Sequence, residues 1–239
     1  MLIVAHPDDE CMFFGPTVRV LRSCHRPVYV LCLSTGNAAP HRVGERRRTE
    51  LKHSCSVLEV PWSRVRVVDD VRLQDGMESV WEPEVVAEVV AQAIGDFSLL
   101  SQGDADQRGQ GCLTVITFDA YGVSNHANHR SVYHGVRYWQ EEQKRRRQRG
   151  DLDVEVYALY TSTLLVKYMG VFSWLFEPML WVLGNACRRL PRDHSIACWN
   201  PDVARVWRAM ACHRSQLTWW RVLFVFLSQY STWNRLVKI

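Results

Sequence analysis

The first ten residues constrain the fold more than any other part of the chain. The apolar run Leu2-Ile3-Val4-Ala5 leads directly into His6-Pro7-Asp8-Asp9-Glu10, which places four ionisable side chains within five positions. Such an uninterrupted apolar run is typical of a strand buried in a parallel sheet, which delivers polar residues at its carboxyl end. Burying so many ionisable groups is costly without a cation or other partners. The segment therefore predicts a buried polar site at the edge of a sheet.

Apolar runs and segments of helical periodicity alternate along most of the 239-residue chain. After the first strand, the pattern predicts strands at 28–34, 65–69, 113–118 and 154–160, helices at 16–23, 43–58, 83–97 and from beyond 129 to about 147, and a loop at 98–111. Strands separated by helices of this length require right-handed crossovers and form an open sheet covered on both faces. The predicted fold class is α/β, a single-domain Rossmann-like three-layer sandwich over residues 1–239 with a mostly parallel sheet.

Composition argues against several classes of protein. The net charge is only +4, and the sequence contains no recognisable nucleic-acid-binding module, so no nucleic-acid partner is predicted. The eight cysteines form no CxxC pair and lie mostly in apolar runs, which predicts buried thiols in a reducing compartment. The chain opens without the charged and apolar regions of a secretory signal. No pattern indicates the oligomeric state.

A second polar cluster follows the predicted strand that ends at Phe118. It consists of Asp119 and the segment His126-Ala127-Asn128-His129. Two histidines three apart lie on one face of a helical turn, so one can bind a metal while the other faces a substrate. Two histidines and one carboxylate with an open position suit catalytic zinc, and no cysteine is suitably clustered for a structural site. Helix capping and ordinary polar loops are the alternative interpretation of both clusters.

The segments 5–10 and 126–129 resemble the two signature motifs of the PIG-L and LmbE-like zinc de-N-acetylases. Four further segments resemble the eukaryotic branch of the family, N-acetylglucosaminylphosphatidylinositol de-N-acetylase: Gly44-Glu45-x-Arg47-x-x-Glu50-Leu51, Phe118-Asp119-Ala120, Gly122-Val123-Ser124 and Cys212-His213-Arg214-Ser215-Gln216. The likeness covers nearly the whole chain. It implies hydrolysis of N-acetylglucosaminylphosphatidylinositol to glucosaminylphosphatidylinositol and acetate in the assembly of glycosylphosphatidylinositol anchors.

The resemblance also implies roles for individual residues. His6, Asp9 and His129 bind Zn²⁺ or another divalent cation, Asp8 is the general base for water, and His126, in its protonated form, stabilises the oxyanion and assists departure of the amine. The chemistry is consistent with this division, because zinc acidifies water and polarises a carbonyl while a nearby carboxylate takes the proton. Spacing alone does not decide which of the adjacent carboxylates, Asp8 or Asp9, faces the metal.

Five other residues are candidates for supporting roles. Arg47 is expected to recognise phosphate or sugar hydroxyls, with Glu50 orienting it across one helical turn, although a solvated ion pair fits the same spacing. Asp119 is expected either to hold a metal-binding histidine or to cap a loop. His213 is expected either to line the pocket or to be a satisfied core histidine. Glu10 either caps the following helix or supports the metal site.

Two departures from the family pattern affect the expected site and location. Asn128 stands where many bacterial relatives carry an aspartate, which removes a charge beside His126. The eukaryotic relatives usually begin with a membrane-spanning helix that places the catalytic domain on the cytoplasmic face of the endoplasmic reticulum, and this sequence lacks it. Either the start of the sequence is incomplete, or contact with the membrane surface and the glycolipid is expected through the apolar segments near 164–184 and 217–233. A deacetylase of a soluble N-acetylglucosaminide and a catalytically silent lipid-binding homologue remain the alternatives.

Overall fold

One sheet contains strands from both ends of the chain. In the computed structural model, the described residues are 1–38, 42–101, 112–146, 153–172 and 195–239, with residues 42, 98–101 and 171 described by backbone only. The strands are β1 Leu2–Val4, β2 Val30–Cys32, β3 Val65–Val67, β4 Leu113–Phe118, β5 Val154–Leu159, β6 Ser195–Trp199 and β7 Trp233–Lys238. The α-helices are α1 Asp9–Met12, α2 Gly15–Ser23, α3 Arg42–Val57, α4 Pro83–Ser101, α5 Gly122–Asn125, α6 Ala127–Arg146, α7 Leu164–Lys167, α8 Val203–Cys212 and α9 Trp219–Leu227. Short 3₁₀ helices occur at Trp62–Arg64, Gly170–Phe172, Arg214–Gln216 and Gln229–Ser231.

The order of the strands determines where a ligand can bind. The order is β3-β2-β1-β4-β5-β7-β6, and the strands from β3 to β5 are parallel, whereas β7 is antiparallel to both of its neighbours. This mostly parallel, Rossmann-like α/β sheet confirms the predicted fold class. The chain leaves β1 toward β2 on one side and returns as β4 on the other, which creates a crevice beyond their carboxyl ends. Both polar clusters follow these two strands.

Helices α4 and α6 pack closely because a glycine removes a side chain between them. A Cβ atom added at Gly135 would lie 2.3 Å from the side chain of Val86, which is closer than any real contact. The packing fixes the amino-terminal turn of α6 near the crevice, because Val132 and Val136 on the same helix are fully buried. This contact therefore helps to position His129, which lies in that first turn.

The structure differs from the sequence prediction at several places. Helix α4 continues to Ser101, so the predicted loop starts later than expected, and 102–111 lie outside the described residues. Strands β6 and β7 were not predicted: β6 is short and mostly exposed, and polar and charged residues interrupt the apolar ones in β7. Buried thiols are confirmed at four cysteines but are wrong for two exposed ones; the buried set is Cys11, Cys32, Cys55 and Cys198, and the exposed pair is Cys24 and Cys112.

The two apolar segments that were expected to contact a membrane, 164–184 and 217–233, differ in how much of each is described and exposed. Of 164–184, helix α7 and the 3₁₀ helix Gly170–Phe172 are described, and 173–184 lie outside the described residues. Of 217–233, helix α9 exposes apolar side chains, whereas Tyr230 and Trp233 are buried in the core. The interfacial expectation is therefore wrong for the end of the second segment. In the described part of the chain, no helix combines the length and apolarity needed to cross a bilayer.

Candidate active site with a metal-binding cluster

Three buried side chains converge beyond the carboxyl ends of β1 and β4. The Asp9 Oδ1 atom lies 3.3 Å from His129 Nε2, and Asp9 Oδ2 lies 3.7 Å from His6 Nδ1. One ligand atom from each residue lies within 4.8 Å of the others. His6 lies in the turn after β1, Asp9 begins α1, and His129 lies in the first turn of α6. The topology therefore brings the two sequence clusters together as expected.

The second nitrogen of each histidine ring is hydrogen-bonded away from Asp9. His129 Nδ1 lies 2.9 Å from the carbonyl oxygen of Gly122, and the His129 ring stacks on Phe118. His6 Nε2 lies 3.0 Å from both Asn128 Oδ1 and Asp75 Oδ1. Such contacts are typical of metal-binding histidines, because they set the tautomer and aim the free nitrogen at the ion. Two nitrogens and one carboxylate oxygen thus form a donor set that fits a divalent cation such as zinc.

The charges within this cluster are strongly coupled. Burial would raise the pKa of Asp9, but the charge and hydrogen bond of His129 and the charge of His6 hold it well below its usual range. Burial alone would lower the pKa of His6, but the hydrogen bond to Asp75 and the charges of Asp9 and Asp75 raise it to about 9. An imidazolium cannot coordinate a metal, so a metal ion that bound His6 would have to displace its proton.

His126 is close to the cluster but does not lie in a helical turn. Its backbone is extended immediately before α6, so the expectation that both histidines share one helical face is wrong. The His126 ring centre lies 4.9 Å from that of His129, and the N–H of Asn128 donates to His126 Nδ1 at 3.2 Å. Burial and the charges of His6 and His129 lower the pKa of His126 to about 4. The neutral ring therefore carries its hydrogen on Nε2.

Asp8 presents a carboxylate that is available for proton transfer. Its buried Oδ2 atom has no hydrogen-bond partner among the described residues, although Arg221 Nη1 lies 3.1 Å away and Arg47 Nη2 lies 3.6 Å away. Burial raises the pKa of Asp8, while the charges of Arg221 and Arg47 oppose that shift. Its backbone has a φ of 127°, a strained conformation of the kind that clusters at functional sites.

Both terminal nitrogens of Arg47 are hydrogen-bonded to backbone carbonyl oxygens close to Asp8. Its Nη1 donates to the Gly36 carbonyl oxygen at 2.8 Å, and its Nη2 donates to the Pro7 carbonyl oxygen at 2.9 Å. Gly36 has a φ of 68°, and a Cβ atom there would lie 2.2 Å from the Arg47 guanidinium. The buried arginine thus ties the turn that carries Asp8 to the loop after β2.

Glu50 and Asp119 support loops rather than the cluster itself. The expected pair of Arg47 and Glu50 is wrong, because Glu50 accepts from Arg46 and from the backbone N–H and hydroxyl of Ser215. Asp119 accepts the backbone N–H of Gly122 and so caps the loop whose carbonyl oxygen faces His129. Glu50 therefore anchors the segment before α9, and Asp119 acts on His129 through the loop.

A fully buried ion pair lies behind Asp8. His213 Nε2 is 2.8 Å from Glu10 Oε1, Ser54 donates to the same oxygen, and Glu10 Oε2 accepts the backbone N–H of Asp8 at 3.1 Å. His213 does not line the cavity, so its expected pocket role is wrong. It is a core histidine that is bonded through Nε2, while its buried Nδ1 has no hydrogen-bond partner among the described residues. Glu10 thus supports the strained backbone of Asp8. The group Glu10, Cys11 and His213 also has metal-ligand spacing, but the Glu10 oxygens are already engaged.

Replacing His213 with alanine is expected to lower the free energy of unfolding by about 3 to 5 kcal/mol, because it leaves Glu10 buried without its charged partner. Burial would lower the pKa of His213, but Glu10 raises it. The pair's contribution is therefore complete between the ordinary pKa of a glutamate and that of a histidine. It is lost as the pH rises through the raised pKa of His213 and as the pH falls through the lowered pKa of Glu10. Urea unfolding of the variant and of the exposed control His134→Ala measures the difference. Equal unfolding midpoints would contradict the assignment.

A cavity of about 900 Å³ opens above the cluster. Its lining includes the five residues predicted to act in catalysis, and among the lining residues that were not predicted are Asp75, Lys167, Gln216, Trp220 and Arg221. Asp75 precedes a glycine in the loop after β3, which is only a weak sequence signal. Arg221 is the one charge in an apolar helix, which could have indicated an inward-facing role. The fold and the cavity together define an α/β enzyme with a candidate metal centre.

Comparison with known proteins identifies the family. The family model described as "PIG-L: GlcNAc-PI de-N-acetylase" matches residues 1–139. The N-acetylglucosaminyl-phosphatidylinositol de-N-acetylase of Bos taurus is 34% identical over 237 residues, which are 99% of this chain and 81% of the bovine protein. A probable enzyme of the same name from Schizosaccharomyces pombe is 33% identical over 240 residues, 100% of this chain and 86% of that protein. The chain belongs to the PIG-L family of deacetylases.

A solved structure supports the fold independently. N,N'-diacetylchitobiose deacetylase from Pyrococcus horikoshii superposes with a TM-score of 0.57, at 14% identity, over 100% of this chain and 82% of that one. At this identity the likeness shows the fold alone.

Proposed function

We propose that the chain removes the N-acetyl group of N-acetylglucosaminylphosphatidylinositol and releases glucosaminylphosphatidylinositol and acetate, an early step in the assembly of glycosylphosphatidylinositol anchors. The observation that carries the proposal is the buried His6–Asp9–His129 cluster, with the Asp8 carboxylate beside it at the base of the cavity. The names of the relatives supply the substrate. An intact set of reacting groups argues against a catalytically silent lipid-binding protein.

His6, Asp9 and His129 are the proposed ligands of Zn²⁺, although another divalent cation fits the same donors. When bound, the metal would acidify water and polarise the acetamide carbonyl. Asp9 and His129 lie in the first turns of α1 and α6, His6 lies in the turn before α1, and the buried Phe118 ring stacks on the His129 ring. This packing holds His129 in place for coordination.

Asp8 is the proposed general base. Its carboxylate takes a proton from water as the water oxygen attacks the acetamide carbon. When the C–N bond breaks, Asp8 returns that proton to the amine nitrogen, so the sugar leaves with a free amine and the acetyl group leaves as acetic acid, which ionises in solution. The charges of Arg221 and Arg47 oppose the effect of burial and favour the ionised form of Asp8 before water is bound.

His126 is the proposed donor to the developing oxyanion. Because Nδ1 already accepts an N–H group, the Nε2 hydrogen of the neutral ring is free to face the cavity. A neutral donor stabilises negative charge without releasing a proton. The sequence-based expectation of a protonated His126 that assists the amine is thereby replaced by a simpler division, in which Asp8 moves the proton and His126 holds the oxygen.

The proposed substrate is a glycolipid, so we place the reaction at a membrane surface, on the cytoplasmic face of the endoplasmic reticulum. Acetate release from purified protein should be measured with N-acetylglucosaminylphosphatidylinositol and with methyl N-acetylglucosaminide, each with and without a chelator. We expect turnover of the lipid-linked substrate that the chelator abolishes and zinc restores. Preference for the soluble sugar would favour the alternative deacetylase, and absence of acetate from both would favour the silent homologue.

A further inference from the structure

A continuous apolar surface surrounds one side of the cavity mouth. It is formed by α7, the 3₁₀ helix after it and α9, and is termed the apolar rim. Its exposed large side chains are Leu164, Leu165, Tyr168, Phe172, Trp219, Trp220, Leu223, Phe226 and Leu227. A soluble protein rarely exposes so many large apolar side chains together, and such patches usually mark a site of interaction.

In helix α9 the exposed side chains are apolar and the charged side chain faces inward, which is the reverse of the usual arrangement in a surface helix. Its exposed positions form one stripe at helical spacing, in which Trp219 is 76% exposed and Phe226 is 60% exposed. Its single charged residue, Arg221, faces inward and reaches Asp8 in the cavity. Polar groups normally face water and apolar groups face the core, so the outer face of α9 is suited to an apolar environment.

Helix α7 repeats this arrangement. Leu164 is 70% exposed and Leu165 is 81% exposed, whereas the only charged residue of the helix, Lys167, is buried and donates to the carbonyl oxygen of Val123 at 2.8 Å. Two separate segments thus turn their only charges toward the cavity and their apolar side chains outward. The exposed faces of both helices carry no charge.

The two segments form one surface because they pack side by side at the cavity. A Cβ atom added at Gly170 would lie 3.2 Å from the Leu227 carbonyl oxygen, and the rings of Tyr168 and Phe224 lie 6.1 Å apart. Tyr168 and Leu227, with Trp220 and Leu223, also line the cavity. The apolar rim is therefore continuous with the wall of the active site.

We infer that the apolar rim docks on a phospholipid bilayer, with the outer faces of α7 and α9 seated at the boundary between headgroups and acyl chains. The inference rests on the proposed function, since a lipid-linked substrate could then pass from the leaflet into the cavity along an apolar wall. Tryptophan side chains favour the interfacial region of a bilayer, and α9 begins with two of them.

The test is co-sedimentation of the full chain with vesicles of phosphatidylcholine and phosphatidylinositol. The double variant Leu165→Glu/Trp219→Glu places carboxylates in the first turns of two helices, where the helix dipole accommodates them. Neither residue lines the cavity. We expect binding at least about tenfold weaker than for the wild type, because two large apolar groups are lost from the interface. The control Val71→Glu, at a position that is 85% exposed outside the rim, should bind as the wild type does.

Further measurements separate this inference from the proposed function. Circular dichroism must show a folded double variant, and its acetate release from a short-chain, water-soluble form of the glycolipid should equal that of the wild type. If the wild type binds vesicles but releases no acetate, the result would support docking of the apolar rim on a bilayer and contradict the proposed function. A wild type that does not bind vesicles, a folded double variant that binds them normally, or a wild-type dimer that the double variant abolishes would each overturn the inference.

Discussion

Replacing Asp8 with asparagine is expected to reduce acetate release by roughly 10²- to 10⁴-fold, the usual contribution of a general base. Asparagine cannot accept the proton from water, but it has nearly the same shape as aspartate. It also tolerates the positive φ of this position better than most residues, so the turn should be retained. The metal content should not change, because Asp8 is not one of the proposed ligands. Turnover with the lipid-linked substrate and elemental analysis of the same preparation measure both effects.

The matched control for this substitution is Asp96→Asn, because Asp96 is an exposed aspartate that pairs with Arg66 at the surface. A surface pair of this kind contributes little to stability, and Asp96 does not line the cavity, so turnover should match that of the wild type. Loss of metal from Asp8→Asn would place Asp8 among the ligands and overturn its assignment as the base.

The variants Asp9→Asn and His129→Ala are expected to lose both the metal and the activity. Asp9 provides the only carboxylate of the proposed set, and its amide replacement would offer a neutral oxygen while disturbing the acceptor of the Ala5 and His6 backbone N–H groups. Removing His129 deletes a ligand outright. Metal analysis after gel filtration, together with acetate release with and without added zinc, measures the loss.

The cavity contains a second possible set of metal ligands, so the metal content of variants can distinguish between the two sets. His6, Asp75 and His126 also have metal-ligand spacing and share one residue with the proposed set. Because Asp75 is assigned to orient His6, Asp75→Asn should retain the metal with an affinity lowered by about 10- to 100-fold. The exposed control His134→Ala should retain it fully. Metal loss from Asp75→Asn combined with normal metal in Asp9→Asn would move the centre to the second grouping.

The buried acidic turn shows why neighbouring carboxylates can have different roles. Asp9 is surrounded by histidine nitrogens and backbone N–H groups, Asp8 by two arginines and the cavity, and Glu10 by His213 and Ser54. Burial raises the pKa of Asp8 although the two arginines oppose that shift, whereas the histidines beside Asp9 and Glu10 outweigh burial and lower the pKa values of those two carboxyls. The surroundings of each carboxylate, rather than its type, therefore distinguish the proposed base, the proposed ligand and the supporting residue.

Much of the fold and the centre of the site could be predicted from the sequence because they depend on local patterns. The apolar run before His6 and the strand Leu113–Phe118 are continuous and buried, so their periodicity identifies them directly. Parallel strands present their carboxyl ends at one edge of a sheet, which places His6 and His129 together without further information. The resemblance to the family added the expected roles of Asp8, Asp9 and His126.

The partners of these residues were decided only by the tertiary structure, because they come from distant segments. Glu10 meets His213 across 203 residues of sequence, and the loop after β3 brings Asp75 to His6. Glu50 bonds Ser215 rather than Arg47, since spacing within a helix permits a pair but the packing of the last segments selects another. The inward Arg221 and the outward apolar face of α9 likewise depend on which side of the helix meets the core. Local periodicity predicts which side chains share one face of a helix. The packing of segments that are distant in sequence decides whether that face meets the core or the solvent.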